Sequence, residues 1–343
     1  MRSTLKNRPM RTVAALAGVV ALTLTAAGCA SSDTAADPAS TSGSGSESAE
    51  LIQVPAVTVT ISGAYWRELV AQELGFFEDH GVDVEYTFAR SNTATDALIS
   101  GSADIGLADA TLSINAIQQG APLQIVGQGV DRQPYYLVAS EDITSVEDLK
   151  GKTIGVENDV SVYTEMIKEL LEDHDVDPAE VNFVYGLASS TDRASALQGG
   201  AVNAVLLVPP ATATLEAEGY NLVASALDVI PLMTQSATVA NSEWAEANPE
   251  AVTGYLAALE DAVAWLNDEA NRDQAVDILA AATEAPVEDA DVAYDEYISQ
   301  RQTFDDDPCV NLDAVDELLT RSYDLGLMQE SAPEDVATTE YCG

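Results

Sequence analysis

VDVEYTFARSNTATDALISGSADIGLADAT, residues 82–111, sets the fold. Residues 82–88 read as a strand, 95–100 as a helix and 104–107 as a second strand, the grammar of a βαβ unit. Working outward, 57–61 reads as a strand and 65–74 as a helix before the unit, with 112–119 helical and 123–126 extended after it. Residues 135–139 form another extended run, taken as a crossing strand. A second series repeats the pattern: strand 153–156, helix 162–171, strand 181–185, helix 193–198 and strand 204–208. Residues 222–224 are extended and 233–240 are a second candidate crossing. Beyond them the chain is almost wholly helical. Residues 248–267 have Pro249 at the start and Val252, Leu256, Leu259, Val263 and Leu266 at helical spacing. Helices at 272–282, 289–304 and 312–325 follow. Their apolar faces need a partner surface, and a return to cover the first series gives two α/β lobes joined by two crossings.

Composition agrees with two packed lobes. The chain has 343 residues, 47% of them apolar, more than one hydrophobic core usually serves. Its 57 acidic residues stand against 14 Lys and Arg, a formal charge of -43 that repels phosphate backbones and anionic headgroups, so nucleic acid is excluded as a partner. Repeated Val, Ile and Leu runs distinguish it from a disordered acidic chain. Arg2, Lys6, Arg8 and Arg11 precede an apolar stretch at 13–24 and the small residues Ala26, Ala27 and Gly28, the layout of an export signal. That stretch is too short for a membrane span. The run Thr25-Ala26-Ala27-Gly28-Cys29 resembles a bacterial lipobox, which implies cleavage before Cys29 and a lipid on its sulfur, although Ala26 stands where Leu is usual. Without the leader, 10 basic residues face 57 acidic ones, a charge of -47. The expected layout is a signal peptide at 1–28, a Ser-, Ala- and Gly-rich tether at 29–50, lobe 1 at 51–137 and 237–343, and lobe 2 at 138–236. Cys309 and Cys342 are the pair left after lipidation, and in an exported chain they are expected to bridge, stabilising by roughly 3 kcal/mol. Two histidines and no CxxC spacing argue for no metal site.

Residues 74–86 (LGFFEDHGVDVEY) and 97–106 (ALISGSADIG) resemble solute-binding proteins of ABC importers, in the group related to nitrate, sulfonate and taurine binders and thiamine-pyrimidine precursor binders. Residues 120–123 (GAPL), 149–156 (LKGKTIGV) and 196–204 (ALQGGAVNA) extend the match, in order, across 54–244. Asn203 departs from the usual Asp. The resemblance implies a two-lobed type II periplasmic-binding-protein fold of the α/β class with two inter-lobe crossings. It implies no cofactor, a small-molecule solute, an ABC permease with its ATPase as partners, attachment to the outer face of the cytoplasmic membrane through lipid alone, and a monomer. The group also includes fungal pyrimidine synthases with a Cys-rich iron site, and this chain lacks such a cluster.

In open α/β sheets ligands lie beyond the carboxyl ends of strands, and in two-lobed proteins between the lobes. That rule selects Ser62, Tyr65, Trp66, Arg90, Ser91, Asp109 and Thr111 in lobe 1, Asp159, Ser161, Ser190 and Pro209 in lobe 2, and Arg132 before the first crossing. Tyr65 and Trp66 stack on a ligand or belong to the core. Ser91, Thr111 and Ser161 stand before helical patterns and cap them, which leaves their helix N-termini open to an anion. Arg132 either forks onto a carboxylate or sulfonate or pairs with a nearby acid. Pro209 stiffens a turn or packs in the core. No GxSxG, HExxH, Walker or GxGxxG motif is in place, and His80 and His174 sit in polar loop runs. The expectation is therefore a receptor without catalytic residues for a sulfonate, a nitrate-like anion, a pyrimidine or an aromatic compound. The alternatives are an exported dehydratase or lyase with Asp109 as base, and a partner of a sensor kinase.

Overall fold

The computed structural model describes residues 50–159, 161–300 and 303–342. The signal, the lipobox with Cys29 and the tether up to residue 49 lie outside the described residues. The strands are β1 (Ile52–Thr58), β2 (Val82–Phe88), β3 (Ile105–Asp109), β4 (Leu123–Val130), β5 (Tyr136–Ala139), β6 (Thr153–Gly155), β7 (Asn182–Val184), β8 (Ala204–Leu207), β9 (Asn221–Ser225) and β10 (Ser236–Asn241). The helices are α1 (Trp66–Leu74), α2 (Phe76–Asp79), α3 (Ser91–Ser100), α4 (Ala110–Gln118), α5 (Val162–Asp173), α6 (Ser190–Gln198), α7 (Ala211–Ala217), α8 (Ser242–Ala247), α9 (Pro249–Asn267), α10 (Arg272–Thr283), α11 (Val287–Tyr294) and α12 (Leu312–Asp324).

Two five-stranded sheets share one plan. Sheet A runs β2-β1-β3-β10-β4 and sheet B runs β7-β6-β8-β5-β9. In each, three parallel strands are followed by an antiparallel one, β10 in sheet A and β5 in sheet B, and that strand arrives from the other lobe. This is the expected α/β architecture with two crossings. β5 pairs only within sheet B and β10 only within sheet A. The connecting segments are thus 131–135 and 226–235, and we propose the lobe limits there rather than inside β5 and β10.

The quoted stretch folds as β2, α3 and β3, with α3 four residues longer at its start than the apolar pattern indicates. Gly101 ends the helix at φ +69, a left-handed conformation that costs a glycine little. β1 also begins earlier than its β-branched run, passing through Pro55, whose carbonyl accepts from the Asp104 amide. A proline discounts a strand in a sequence reading because it cannot donate. α1, α2, α9 and α10 cover one face of sheet A, where Val70, Phe77, Leu256 and Leu259 close on Val54, Val82 and Val84. Val252, Leu256, Leu259, Val263 and Leu266 are all buried, each contributing about 1.5–3 kcal/mol relative to exposure. α5 buries Met166, Ile167 and Leu170 with Ile154, Val156 and Leu206 of sheet B.

Periodicity reads 289–304 as one helix, but α11 ends at Tyr294 and passes into a π-helical turn, Asp295–Ser299. The turn aims Tyr297 at the segment after β1, where a Cβ at Gly63 would meet the ring at 2.3 Å, so only glycine fits there. Cys309 and Cys342 are disulfide-bonded. The tail they hold runs along β4: Ile125 donates to Val336 O at 3.1 Å and Thr338 donates to Ile125 O at 2.9 Å. Replacing both cysteines by serine is expected to cost about 3 kcal/mol of stability in urea unfolding. Equal midpoints for the two proteins would mean that the bridge does not hold the tail to β4.

Candidate functional site

Topology leaves one place where both lobes present strand ends. β1, β2 and β3 end toward the same side as the crossings, and β6, β7 and β8 end toward them from lobe 2. At the end of β3, Asp109 is the N-cap of α4, its Oδ1 accepting from the Leu112 amide at 2.9 Å. Burial pushes its carboxyl up to about 6 against the hydrogen bonds of the Leu112 and Thr111 amides, and the charge of Glu157 in lobe 2 adds to the rise. Glu157 follows β6 and lines a narrow pocket with Tyr135, Val156, Tyr163, Thr164, Ile167, Arg193 and Leu206. The Tyr135 and Tyr163 rings lie 5.5 Å apart, tilted by 57°. Burial raises both phenols, and the charge of Asp109 acts on each, so Asp109 of lobe 1 sits beside this tyrosine pair.

Arg193 and Arg132, two of the cations of this region, are engaged by the protein, while Arg90 after β2 is exposed. Arg193 donates from Nε to Leu206 O at 2.9 Å, from Nη1 to Leu187 O and Ala188 O at 3.3 Å each, and from Nη2 to Ser190 Oγ at 3.2 Å. Arg132 donates to Asp305 Oδ1 at 2.8 Å, so of its two expected roles it takes the ion pair. Arg67, directly after Trp66 on α1, is 1% exposed within lobe 1. It pairs with Glu68 at 3.1 Å and donates to Gln128 O at 2.5 Å. The arrangement holds two carboxylates and two phenols around a small space whose guanidinium already makes four hydrogen bonds to the protein. It suits a ring bearing N–H donors or a positive charge better than an anion.

Several expected site residues are placed otherwise. Trp66 is fully buried, its indole N–H donates to Ala275 O at 3.0 Å, and its ring meets Tyr294 and Tyr297 edge-on. It is a core residue because α10 returns over it. Tyr65 is likewise buried and stands edge-on to Tyr86 at 5.2 Å. Ser62 accepts from the Ala64 amide at 3.3 Å in the turn after β1. Ser91 and Thr111 are not caps: Arg90 occupies the N-cap of α3 without a side-chain bond, and Asp109 caps α4, which leaves both hydroxyl residues in the first helical turn. Ser161 is the N-cap of α5, accepting from Thr164 N at 3.1 Å. Ser189, not Ser190, caps α6. Asp159 is exposed, and its carbonyl lies 3.5 Å from Lys168 Nζ. Pro209 is buried and joined to Pro210 by a cis peptide. Of the twelve, Arg90, Asp109, Asp159, Ser161 and Ser190 stand at strand ends of the two lobes, and Asp109 alone has an electrostatic tie to the Glu157 and tyrosine cluster. Sequence reasoning missed Glu157, Tyr135 and Tyr163, although Glu157 belongs to the loop that supplied Asp159 and Ser161.

Comparison with known proteins agrees with this plan. Residues 65–271 match the family described as NMT1/THI5 like. A Bacillus subtilis chain named as a binding protein, YtlA, is 26% identical over 231 residues, covering 65% of this chain and 69% of that one. The ligand-binding component of an ABC-type import system from Staphylococcus aureus, solved with zinc bound, superposes with a TM-score of 0.70 at 15% identity, covering 85% of this chain and 97% of that one. The periplasmic aliphatic sulphonate binding protein SsuA from Escherichia coli gives 0.66 at 20% identity over 85% and 99%. The desulfurization enzyme DszB gives 0.66 at 18% over 84% and 97%, so the fold also carries an enzyme.

Trp66→Ala is expected to cost the ligand-free protein roughly 3–5 kcal/mol in urea unfolding, because it empties a site that α10 closes. A loss below about 1 kcal/mol, accompanied by weaker solute binding, would return the ring to the cleft.

Proposed function

This chain belongs to the NMT1/THI5-like family, and we propose that it is the extracytoplasmic, lipid-anchored solute-binding component of an ABC importer. The observation that carries the reading is the convergence of Asp109 from lobe 1 with Glu157, Tyr135 and Tyr163 at the strand ends facing it. The signal-like leader and the lipobox-like run before Cys29 support display outside the cell on a lipid anchor. Among the described residues no helix is long and apolar enough to cross a membrane, and the ABC-type import component from Staphylococcus aureus shares the fold. Of the solutes open from sequence, the cleft favours a planar pyrimidine-like or aromatic compound that is neutral or cationic. Sulfonates and nitrate need free donors; Arg193 and Arg132 are committed to protein acceptors, and Arg90, exposed after β2, is not among the residues that line the pocket with Glu157. Binding works by closure: contacts from both lobes exist together only when the lobes approach, so the solute draws the equilibrium toward the closed form, the shape a permease would accept.

A second reading draws on Asp109. A carboxyl pushed up to about 6 in a cleft is suited to act as a general base, and DszB has the same fold. The two readings differ in what happens to the solute, since a receptor returns it unchanged and a lyase does not.

A melting screen with cytosine, benzamidine, taurine and nitrate tests the class. Cytosine or benzamidine is expected to stabilise, by about 2.7 kcal/mol at 100 times its dissociation constant, and to be recovered intact. Stabilisation by taurine or nitrate alone would overturn the solute class, and a chemically altered solute would favour the lyase.

The ionised carboxylate of Asp109 is the form that attracts an amidinium. Its carboxyl is pushed up to about 6, so benzamidine affinity is expected to rise as pH increases from 5 to 7. Asp109→Asn should flatten that profile in calorimetric titration. An unchanged slope in the variant would remove Asp109 from the solute.

A further inference from the structure

The two crossings leave sheet A from the β4 and β10 edge and enter sheet B at the β5 and β9 edge. The opposite edges of the two sheets are β2 and β7, on the side away from the crossings. Each ends in an exposed aromatic: Phe88, the last residue of β2, is 56% exposed, and Tyr185, directly after β7, is 53% exposed. Arg90 lies two residues beyond Phe88, and its charge acts on Asp192 of lobe 2, whose carboxyl is held low first by the Ser189 hydroxyl and amide. Single exposed apolar residues need no explanation. Here Ile61, Phe88, Val184 and Tyr185, four of the seven large apolar residues exposed among the described residues, gather at strand ends of the two lobes.

We infer that Phe88 and Tyr185 are a pair of aromatic lips that close over the outer face of a planar solute. This rests on the proposed solute class and deepens it. Asp109 and Glu157 supply charge at the floor, the Tyr135 and Tyr163 pair supplies the inner wall, and Phe88 and Tyr185 supply the outer one. Both rings are left in water by the unliganded protein and lose it only when the edges approach over a flat ring. The lips thereby reward closure and select aromatic over saturated solutes of equal charge.

Benzamidine and cyclohexanecarboxamidine share a charged head and differ in the flatness of the ring, which makes them the probes. In calorimetric titration the unaltered full chain is expected to bind benzamidine more tightly. Phe88→Ala and Tyr185→Ala should each weaken benzamidine about fivefold, the double variant should lose the preference, and Tyr185→Phe should keep it. Because both side chains are more than half exposed, the variants should melt with the parent when unliganded. Benzamidine binding indifferent to the double substitution overturns the lips alone, including the case in which solute import falls while affinity holds, which would make these rings a surface for the permease. Failure of the unaltered chain to bind either amidine overturns the solute class and the lips together.

Discussion

Asp131 holds the two crossings together, and the geometry of the cleft depends on that clasp. The residue begins the first crossing and is 1% exposed. Its carbonyl accepts from Met233 N at 2.9 Å, and its Oδ1 accepts from Thr234 Oγ1 at 3.0 Å, both in the second crossing. Its other oxygen accepts from Gln128 Nε2 at 3.1 Å, and Gln128 also reaches Asp305, which binds Arg132. At the lobe 2 end the segments meet again, where Ala226 N donates to Tyr135 O at 2.8 Å. Burial pushes Asp131 up to about 6, while the Gln128 and Thr234 bonds work against the rise, so a costly buried carboxyl is retained because its partners fix two strands of chain side by side. With the crossings tied at both ends, bending is confined to a short span, and the strand ends of the lobes stay aimed at one another.

Besides the crossings and a buried apolar cluster that includes residues of both, the lobes share polar contacts. Tyr136 donates to Glu296 of the π-helical turn, Thr214 donates to Asp289 of α11 at 2.5 Å, and Arg321 of α12 pairs with Glu169 of α5. Partly exposed pairs of this kind contribute little net stability, typically about 0–1 kcal/mol. They can guide one lobe toward the other without locking it. A solute touching both lobes would add to these weak contacts and so shift the balance toward closure.

The fold was legible in the chain because its signals are local. The twin series of β-rich runs and helices, and the apolar spacing from Val252 to Leu266, depend only on neighbours within a few turns. The site was less legible because its residues depend on distant ones. Trp66 begins a helix at a strand end, where an aromatic can serve a ligand, and it is buried because α10 packs over it, the Ala275 carbonyl 209 residues later accepting a hydrogen bond from its indole N–H. Arg67, the next residue, is held in the core by Gln128 and Thr238, partners far along the chain. Ser91 and Thr111 read as caps in the sequence, but the N-cap positions fall to Arg90, one residue before Ser91, and to Asp109, two before Thr111. The π-helical turn preserves apolar composition while shifting the phase of the helix, so periodicity passes over it.

The position of β10 has a consequence for the order in which the molecule can be assembled. Sheet B draws all of its strands from one continuous stretch and is complete in sequence at Ser225. Sheet A is not: β10 separates β3 from β4, so β4 has no neighbour within its sheet until residues 236–241 exist. As the chain is made from its N-terminus, the lobe encoded first is the lobe finished last, and β1, β2 and β3 must wait, partly exposed, through more than a hundred residues of synthesis. The acidic surface gives that waiting intermediate a means of staying apart from its copies, since chains carrying the same large negative charge repel before their unpaired strand edges can meet.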